Sequence, residues 1–170
     1  AATTPLVPAD FLDMFAPLRP GAELRGRIVA IERETRDAAT IVLRPGADWR
    51  GHVPGQYVRI GIDVDGVRQW RAYSLTSDTA RRDGCISIAV KAIPDGVVSN
   101  HLVRRATVGT VIQLDQAAGD FTLGERMPAK ILFLTAGSGI TPVMGMLRNM
   151  QAQDADVVVV HSAPTASDVI

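Results

Sequence analysis

The sequence predicts a small antiparallel β-barrel or sandwich followed by the start of a parallel-sheet α/β domain. Three observations predict it. Across residues 24–114, short apolar runs follow one another closely, with turn residues between them and a single helical stretch. After Pro128 the texture changes to continuous apolar runs, Ile131-Leu132-Phe133-Leu134 and Val157-Val158-Val159-Val160, which read as parallel strands buried on both faces. A Gly-rich turn and a helical pattern separate those two runs and complete a β-α-β unit.

The elements follow in order. Residues 1–23 carry four prolines and the apolar cluster Phe11, Leu12, Met14 and Phe15. We expect an arm there with one or two helical turns, capped by Asp10, packing its apolar side on the body. Residues 24–34 are β-like, with Ile28, Val29 and Ile31 as core candidates, and residues 40–43 form a second short run. Val53-Pro54-Gly55-Gln56 signals a turn, after which Val58, Ile60, Ile62 and Val64 alternate on one face. Asp65-Gly66 is a hairpin turn, and the chain returns over residues 67–75. Residues 86–91 and 111–114 are further strands. Between them, residues 97–104 follow Pro94-Asp95-Gly96 as a helix. Beyond a boundary near residues 125–128 come a strand over 129–135, a helix bearing Val143, Met144, Met146, Leu147 and Met150, and a strand over 157–160. Two parallel strands and one helix do not cover a sheet. The expectation is a piece of a longer protein, or one completed by another chain.

Composition narrows the function. Apolar residues make up 46% and charged residues 21%, enough for a packed core. Eighteen basic residues balance eighteen acidic ones, which gives no case for nucleic-acid or membrane-surface binding. No run approaches the roughly 20 apolar residues of a membrane span, and no leader pattern is visible. The single cysteine, Cys85, lies in an apolar strand and forms no internal disulfide, which points to the reducing cytoplasm. His52, His101 and His161 stand far apart without ligand spacing, so no metal site is expected.

Three motifs carry chemistry. Arg71-Ala72-Tyr73-Ser74 lies on the return strand of the hairpin. Strand alternation puts Arg71 and Tyr73 on one face with Ser74 at its edge. A guanidinium for phosphate, an aromatic face for a flat ring and a hydroxyl for a ring heteroatom suit a flavin. The same string also fits an ordinary amphipathic edge strand. Lys91 with Gly96-Val97-Val98-Ser99 is second: a glycine permits close backbone approach, and a helix start offers free N–H groups to a pyrophosphate. A Ser-capped helix is the plainer alternative. Third is Ala136-Gly137-Ser138-Gly139-Ile140-Thr141-Pro142, a Gly-rich turn between a buried strand and a helix, with Pro142 suited to a first helical position. It is neither Gly-x-Gly-x-x-Gly nor a P-loop, and a tight structural β-α turn is its alternative.

These motifs stand in an order that resembles the ferredoxin–NADP reductase superfamily, in particular bacterial flavoproteins of the kind often fused to a C-terminal 2Fe-2S ferredoxin domain. Pro54-Gly55-Gln56-Tyr57 and Gly119-Asp120-Phe121 join the three motifs, and the resemblance covers about residues 24–170. It implies a six-stranded antiparallel Greek-key FAD-binding barrel at 24–127 and a partial NAD(P)-binding domain at 128–170. Arg71 would contact the flavin phosphate, with Ala72 beside it among the cofactor-binding residues; Tyr73 would stack on the ring and Ser74 approach N5, as the catalytic pair. Ile88, Ala89, Val90 and Lys91 would line the ring and ribityl chain, and Gly96, Val97, Val98 and Ser99 would hold the pyrophosphate. Gly137, Ser138, Gly139, Thr141 and Pro142 would receive the nicotinamide nucleotide. The implied activity is hydride transfer from NAD(P)H to FAD, then single electrons to a ferredoxin-like 2Fe-2S partner serving a desaturase or monooxygenase. Alternatives are a flavin-binding fragment without hydride transfer, and a free-flavin reductase. No Arg follows Ser162 and no ferredoxin cysteines are present, so the nucleotide preference and the acceptor stay open.

Overall fold

The computed structural model describes residues 8–124, 126–151 and 154–169. The first seven residues of the arm, Glu125 at the expected boundary and Ile170 lie outside them. Six strands form one antiparallel sheet: β1 (Arg25–Arg33), β2 (Ala38–Pro45), β3 (Tyr57–Val64), β4 (Val67–Ser74), β5 (Ile86–Lys91) and β6 (Val111–Leu114). Their order is β4-β3-β6-β1-β2-β5. An antiparallel bridge between Leu75 and Ile88 joins the two ends of that order. Thr76 N–H donates to the Ser87 carbonyl at 2.8 Å, and the Thr76 and Ser87 hydroxyls lie 2.9 Å apart. The sheet is thereby closed into a barrel. Strands β3, β4 and β5 lie side by side and β6 returns beside β3, which is the Greek-key arrangement.

Alternation drives the closure. Val58, Ile60 and Ile62 on β3 point inward against Ile28, Ile41 and Leu43, and all six are buried. Burying each such side chain stabilises the fold by about 1.5–3 kcal/mol. The β3–β4 turn uses Asp65 (φ 52°) and Gly66 (φ 76°), the paired left-handed conformations of a type I′ hairpin. β1 carries a bulge between Ile28 and Ala30, so Val29 has no partner on β2 and is half-buried. Helix α2 (Val97–Arg104) plugs one end of the barrel with Val98, Leu102 and Val103.

Beyond the barrel, β7 (Lys130–Ala136) and β8 (Asp156–Ser162) pair in parallel. A 3-10 turn (Gly137–Gly139) and helix α3 (Ile140–Arg148) connect them. Phe133, Ile140, Val143 and Met146 form a second small core on one face. The opposite face is bare: Leu132 pairs with Val158 and Leu134 with Val160, and all four are exposed. Burial on both faces, expected from the apolar runs, is therefore not seen, because α3 covers only one side.

The N-terminal helix α1 (Pro8–Phe15) also departs from expectation. Asp10 is its third residue rather than its cap, and Pro8 opens it. Its apolar side chains face outward, with Met14 72% and Phe15 88% exposed. The cause is ionic: Asp13 pairs with Arg19 at 2.7 Å and reaches Arg25 of β1 at 3.9 Å, which turns the polar side of the helix toward the barrel.

Helix α3 docks on the segment that closes the barrel. Arg148 Nη1 donates to the Thr76 carbonyl at 2.8 Å, and Asn149 Nδ2 to the Ser77 carbonyl at 3.0 Å. Asn149 Oδ1 accepts from Thr79 N–H at 2.8 Å. Gly145 lies against the Leu75 carbonyl with no space for a Cβ. Gly145→Ala must push the helix off that carbonyl, an overpacking cost of about 1–3 kcal/mol. We expect a lower urea midpoint with an unchanged slope; a midpoint equal to wild type would show that α3 is free to shift.

Candidate functional site

A cleft of about 470 Å³ lies between β4, β5, the start of α2 and the turn into α3. That volume falls within the range of small-molecule and cofactor sites. All of Arg71, Ala72, Tyr73 and Ser74 line it. In register, Arg71 pairs with Ile60 and Tyr73 with Val58, so the two share one face of β4; Tyr73 packs against the barrel core and Arg71 is exposed at the cleft. Trp70 takes the other face, over Gly61, with the Arg59 guanidinium 5.2 Å from its ring centroid. Arg71 Nη1 donates to the Trp70 carbonyl at 2.7 Å, and Arg71 makes no ion pair among the described residues. The Ser74 hydroxyl has no protein partner among them either, and it opens on the cleft.

From β5 the cleft receives Ala89 and Lys91. Ile88 and Val90 instead point into the barrel and are fully buried core, since neighbours on a strand face opposite ways. Lys91 Nζ lies 3.0 Å from Asp168 Oδ1 and 3.7 Å from Asp37 Oδ1. From α2 come Gly96, Val98 and Ser99, joined by Ile93, which the sequence motifs did not mark. Val97 turns away to a shallow pocket beside Asn100, His101 and Arg105. No side chain caps the start of α2. Ser99 Oγ is engaged by the turn before it, donating to the Gly96 carbonyl at 3.2 Å, so the first N–H groups stay available to an anion. The Ser-capped alternative does not hold in this geometry.

The opposite wall is the turn into α3. Ser138, Gly139, Thr141 and Pro142 line the cleft, while Gly137 (φ 52°) makes the turn behind it. A Cβ on Gly139 would stand in open space, where a ligand has room to approach the backbone. Thr141 Oγ1 donates to the Ser138 carbonyl at 2.9 Å and so ties the turn to the helix. Pro142 is the third residue of α3 rather than the first. It is tolerated because the first four N–H groups of a helix lack intrahelical partners. His161 Nδ1 lies 2.8 Å from Thr135 Oγ1, across the carboxyl ends of β7 and β8.

The donor set fits a flavin dinucleotide. It offers an unpaired guanidinium, an aromatic side chain, an open hydroxyl, an uncapped helix start and a glycine without a neighbour at its Cβ. Burial pushes the Tyr73 hydroxyl up to about 12, with the Arg71 charge opposing it. Tyr73 is thus a neutral aromatic at any physiological pH. An unfolded tyrosine ionises near 10, so this group's contribution to stability is whole below pH 10 and is lost as pH rises toward 12. Wild type is expected to lose stability more steeply than Tyr73→Phe over that window, in urea midpoints taken at stepped pH. Parallel curves would contradict the burial of the hydroxyl.

Comparison with known proteins agrees with this geometry. The family model for the oxidoreductase FAD-binding domain matches residues 26–123, more than half of the chain. An NADPH oxidoreductase of Mycobacterium tuberculosis is 49% identical over an alignment of 173 positions that covers 99% of this chain and 46% of that protein. An NADH oxidoreductase of Escherichia coli is 34% identical over 86% of this chain and 45% of its own length. The chain therefore spans less than half the length of these curated relatives. The crystal structure of a ferredoxin NADP+ reductase from Neisseria gonorrhoeae with bound FAD and NADP superposes with a TM-score of 0.74 at 27% identity, over 87% of this chain and 61% of that one. Phthalate dioxygenase reductase shares the fold, with a TM-score of 0.70 at 23% identity. The two facing walls of one cleft and a matching family model lead to one assignment: the chain belongs to the family of oxidoreductase FAD-binding domains, with structural neighbours among the ferredoxin–NADP reductases.

Proposed function

We propose that the protein to which this chain belongs is an FAD-dependent oxidoreductase that takes a hydride from NAD(P)H and delivers single electrons to a ferredoxin-like 2Fe-2S acceptor, serving a desaturase or monooxygenase. The observation that carries the reading is that the Arg71-Ala72-Tyr73-Ser74 strand, the uncapped start of α2 and the Gly-rich turn into α3 all open on one cleft. Bound FAD supplies the exchange between two-electron and one-electron chemistry that no side chain here can perform.

The chain's own residues bind and orient. The Arg71 fork holds a phosphate, and the backbone N–H groups at the start of α2 hold the pyrophosphate. Tyr73 offers the stacking face and Ser74 the hydrogen bond to the reactive edge of the ring. Ala89 and Lys91 flank the ring from β5. Ser138, Gly139, Thr141 and Pro142 receive the nicotinamide nucleotide on the facing wall, which brings donor and acceptor into one orientation. The FAD-binding part covers residues 24–127 and the NAD(P)-binding part begins at 128. A pyrophosphate site at residues 96–99 favours a retained dinucleotide over a flavin used as substrate. The single buried cysteine, Cys85, accords with a cytoplasmic location. Among the described residues no helix is long and apolar enough to cross a membrane.

Two measurements test this. The purified full-length protein is expected to be yellow, and its flavin band to bleach when NADH or NADPH is added without oxygen. Persistent colour with both nucleotides overturns the hydride-transfer reading. Arg71→Ala removes a charge-assisted phosphate contact worth about 1.5–3 kcal/mol, so FAD affinity is expected to fall by about tenfold or more. Titration of the apoprotein by flavin fluorescence reads it, and equal affinity in the variant would remove Arg71 from the site.

A further inference from the structure

The cleft holds two cations, Arg71 and Lys91, and they are placed differently. Arg71 has no carboxylate partner among the described residues. Lys91 stands between two, Asp168 at 3.0 Å and Asp37 at 3.7 Å, and its side chain is only 23% exposed. Each carboxylate is itself held by a threonine. Thr35 Oγ1 donates to Asp37 Oδ1 at 2.9 Å, and Thr165 Oγ1 to Asp168 Oδ2 at 2.7 Å. The result is a chain of contacts that starts in the β1–β2 hairpin, crosses the end of β5, and ends in the 3-10 turn Ala166–Asp168 after β8.

This chain is the ionic counterpart of the α3 dock. At α3, hydrogen bonds to backbone carbonyls and close backbone contact, with no carboxylate involved, fasten the second part of the molecule to the barrel. At Lys91 one ammonium does so on another side of the cleft. We propose that Asp168 is a positioning residue: acting through Lys91, it fixes the segment after β8 to the barrel and holds the ammonium at the cleft edge, so that the nucleotide-binding wall keeps its setting against the flavin-binding wall. The inference rests on the proposed function for what the two walls bind, and on the Lys91–Asp168 contact alone for the strut. Lys91 is a strut here and its charge is committed to protein. Arg71 is the cation left for an anionic ligand.

The chain contains only two lysines, Lys91 and Lys130, which gives an internal reference. Acetylation of the full-length protein by an amine-reactive ester, read by mass spectrometry as the ratio of Lys91 to Lys130, measures the strut without any turnover. Asp168→Asn is expected to raise that ratio by about threefold or more, and Asp168→Glu to restore most of the protection. In FAD-loaded protein, the dissociation constant of the oxidised nicotinamide nucleotide is expected to rise by about threefold or more in Asp168→Asn and in Lys91→Met, with no further rise in the double variant. An unchanged labelling ratio overturns the strut. A dissociation constant that falls in Asp168→Asn, because the freed ammonium draws the anionic nucleotide, overturns the positioning role and makes Lys91 a ligand. Wild-type protein that retains no FAD overturns the proposed function itself, and the labelling arm still decides the strut.

Discussion

The segment Leu75-Thr76-Ser77 does two jobs, and the cleft exists because it does both. On one side Leu75 and Thr76 bridge to Ile88 and Ser87 and close the barrel. On the other side the carbonyls of Leu75, Thr76 and Ser77 receive Gly145 and Arg148 of α3 and Asn149 just after it. A residue that must pair in a sheet and also seat a helix has little freedom left. The constraint carries outward. Ser74, one residue before the segment, is held at the cleft, and the turn before α3 is held opposite it. The cleft is thus the gap that remains when the barrel seam and the helix dock are both satisfied.

The walls of that gap follow from local rules. β4 brings Arg71 and Tyr73 onto one face by alternation. The start of α2 is left open because Ser99 bonds backward into its own turn rather than forward to the helix. The Gly-rich turn leaves room at Gly139 because nothing lies where a Cβ would be. None of these features alone marks a binding site. Their convergence on one cavity is what supports the proposed site, since each alone is an ordinary strand, cap or turn.

Much of this was legible in the sequence, and the reasons are local. Periodicity located β3, β5, α2 and β6, because alternating apolar residues and the Asp65-Gly66 and Pro94-Asp95-Gly96 turns act over a few residues. The motif residues in the cleft were legible for the same reason. Parity within β5 was the finer matter: Ile88 and Val90 share the strand with Ala89 and Lys91 but face the core. What the sequence could not display was long-range. Asp168 meets Lys91 across 77 residues. Asp13 turns its helix inside out by reaching Arg25, a contact that amphipathicity alone reads backward. Asn149 joins Thr79 across 70 residues. Polar pairs of this kind leave no period behind.

The bare face of the β7–β8 pair has a consequence of another sort. Leu132, Leu134, Val158 and Val160 are aliphatic where neither the barrel nor α3 touches them. Nothing in the folding of the described residues requires them to be so. Leaving such rows in water costs rather than stabilises. Two aliphatic rows side by side are the surface that a further layer of an α/β sheet would cover, on a face that the cleft does not use.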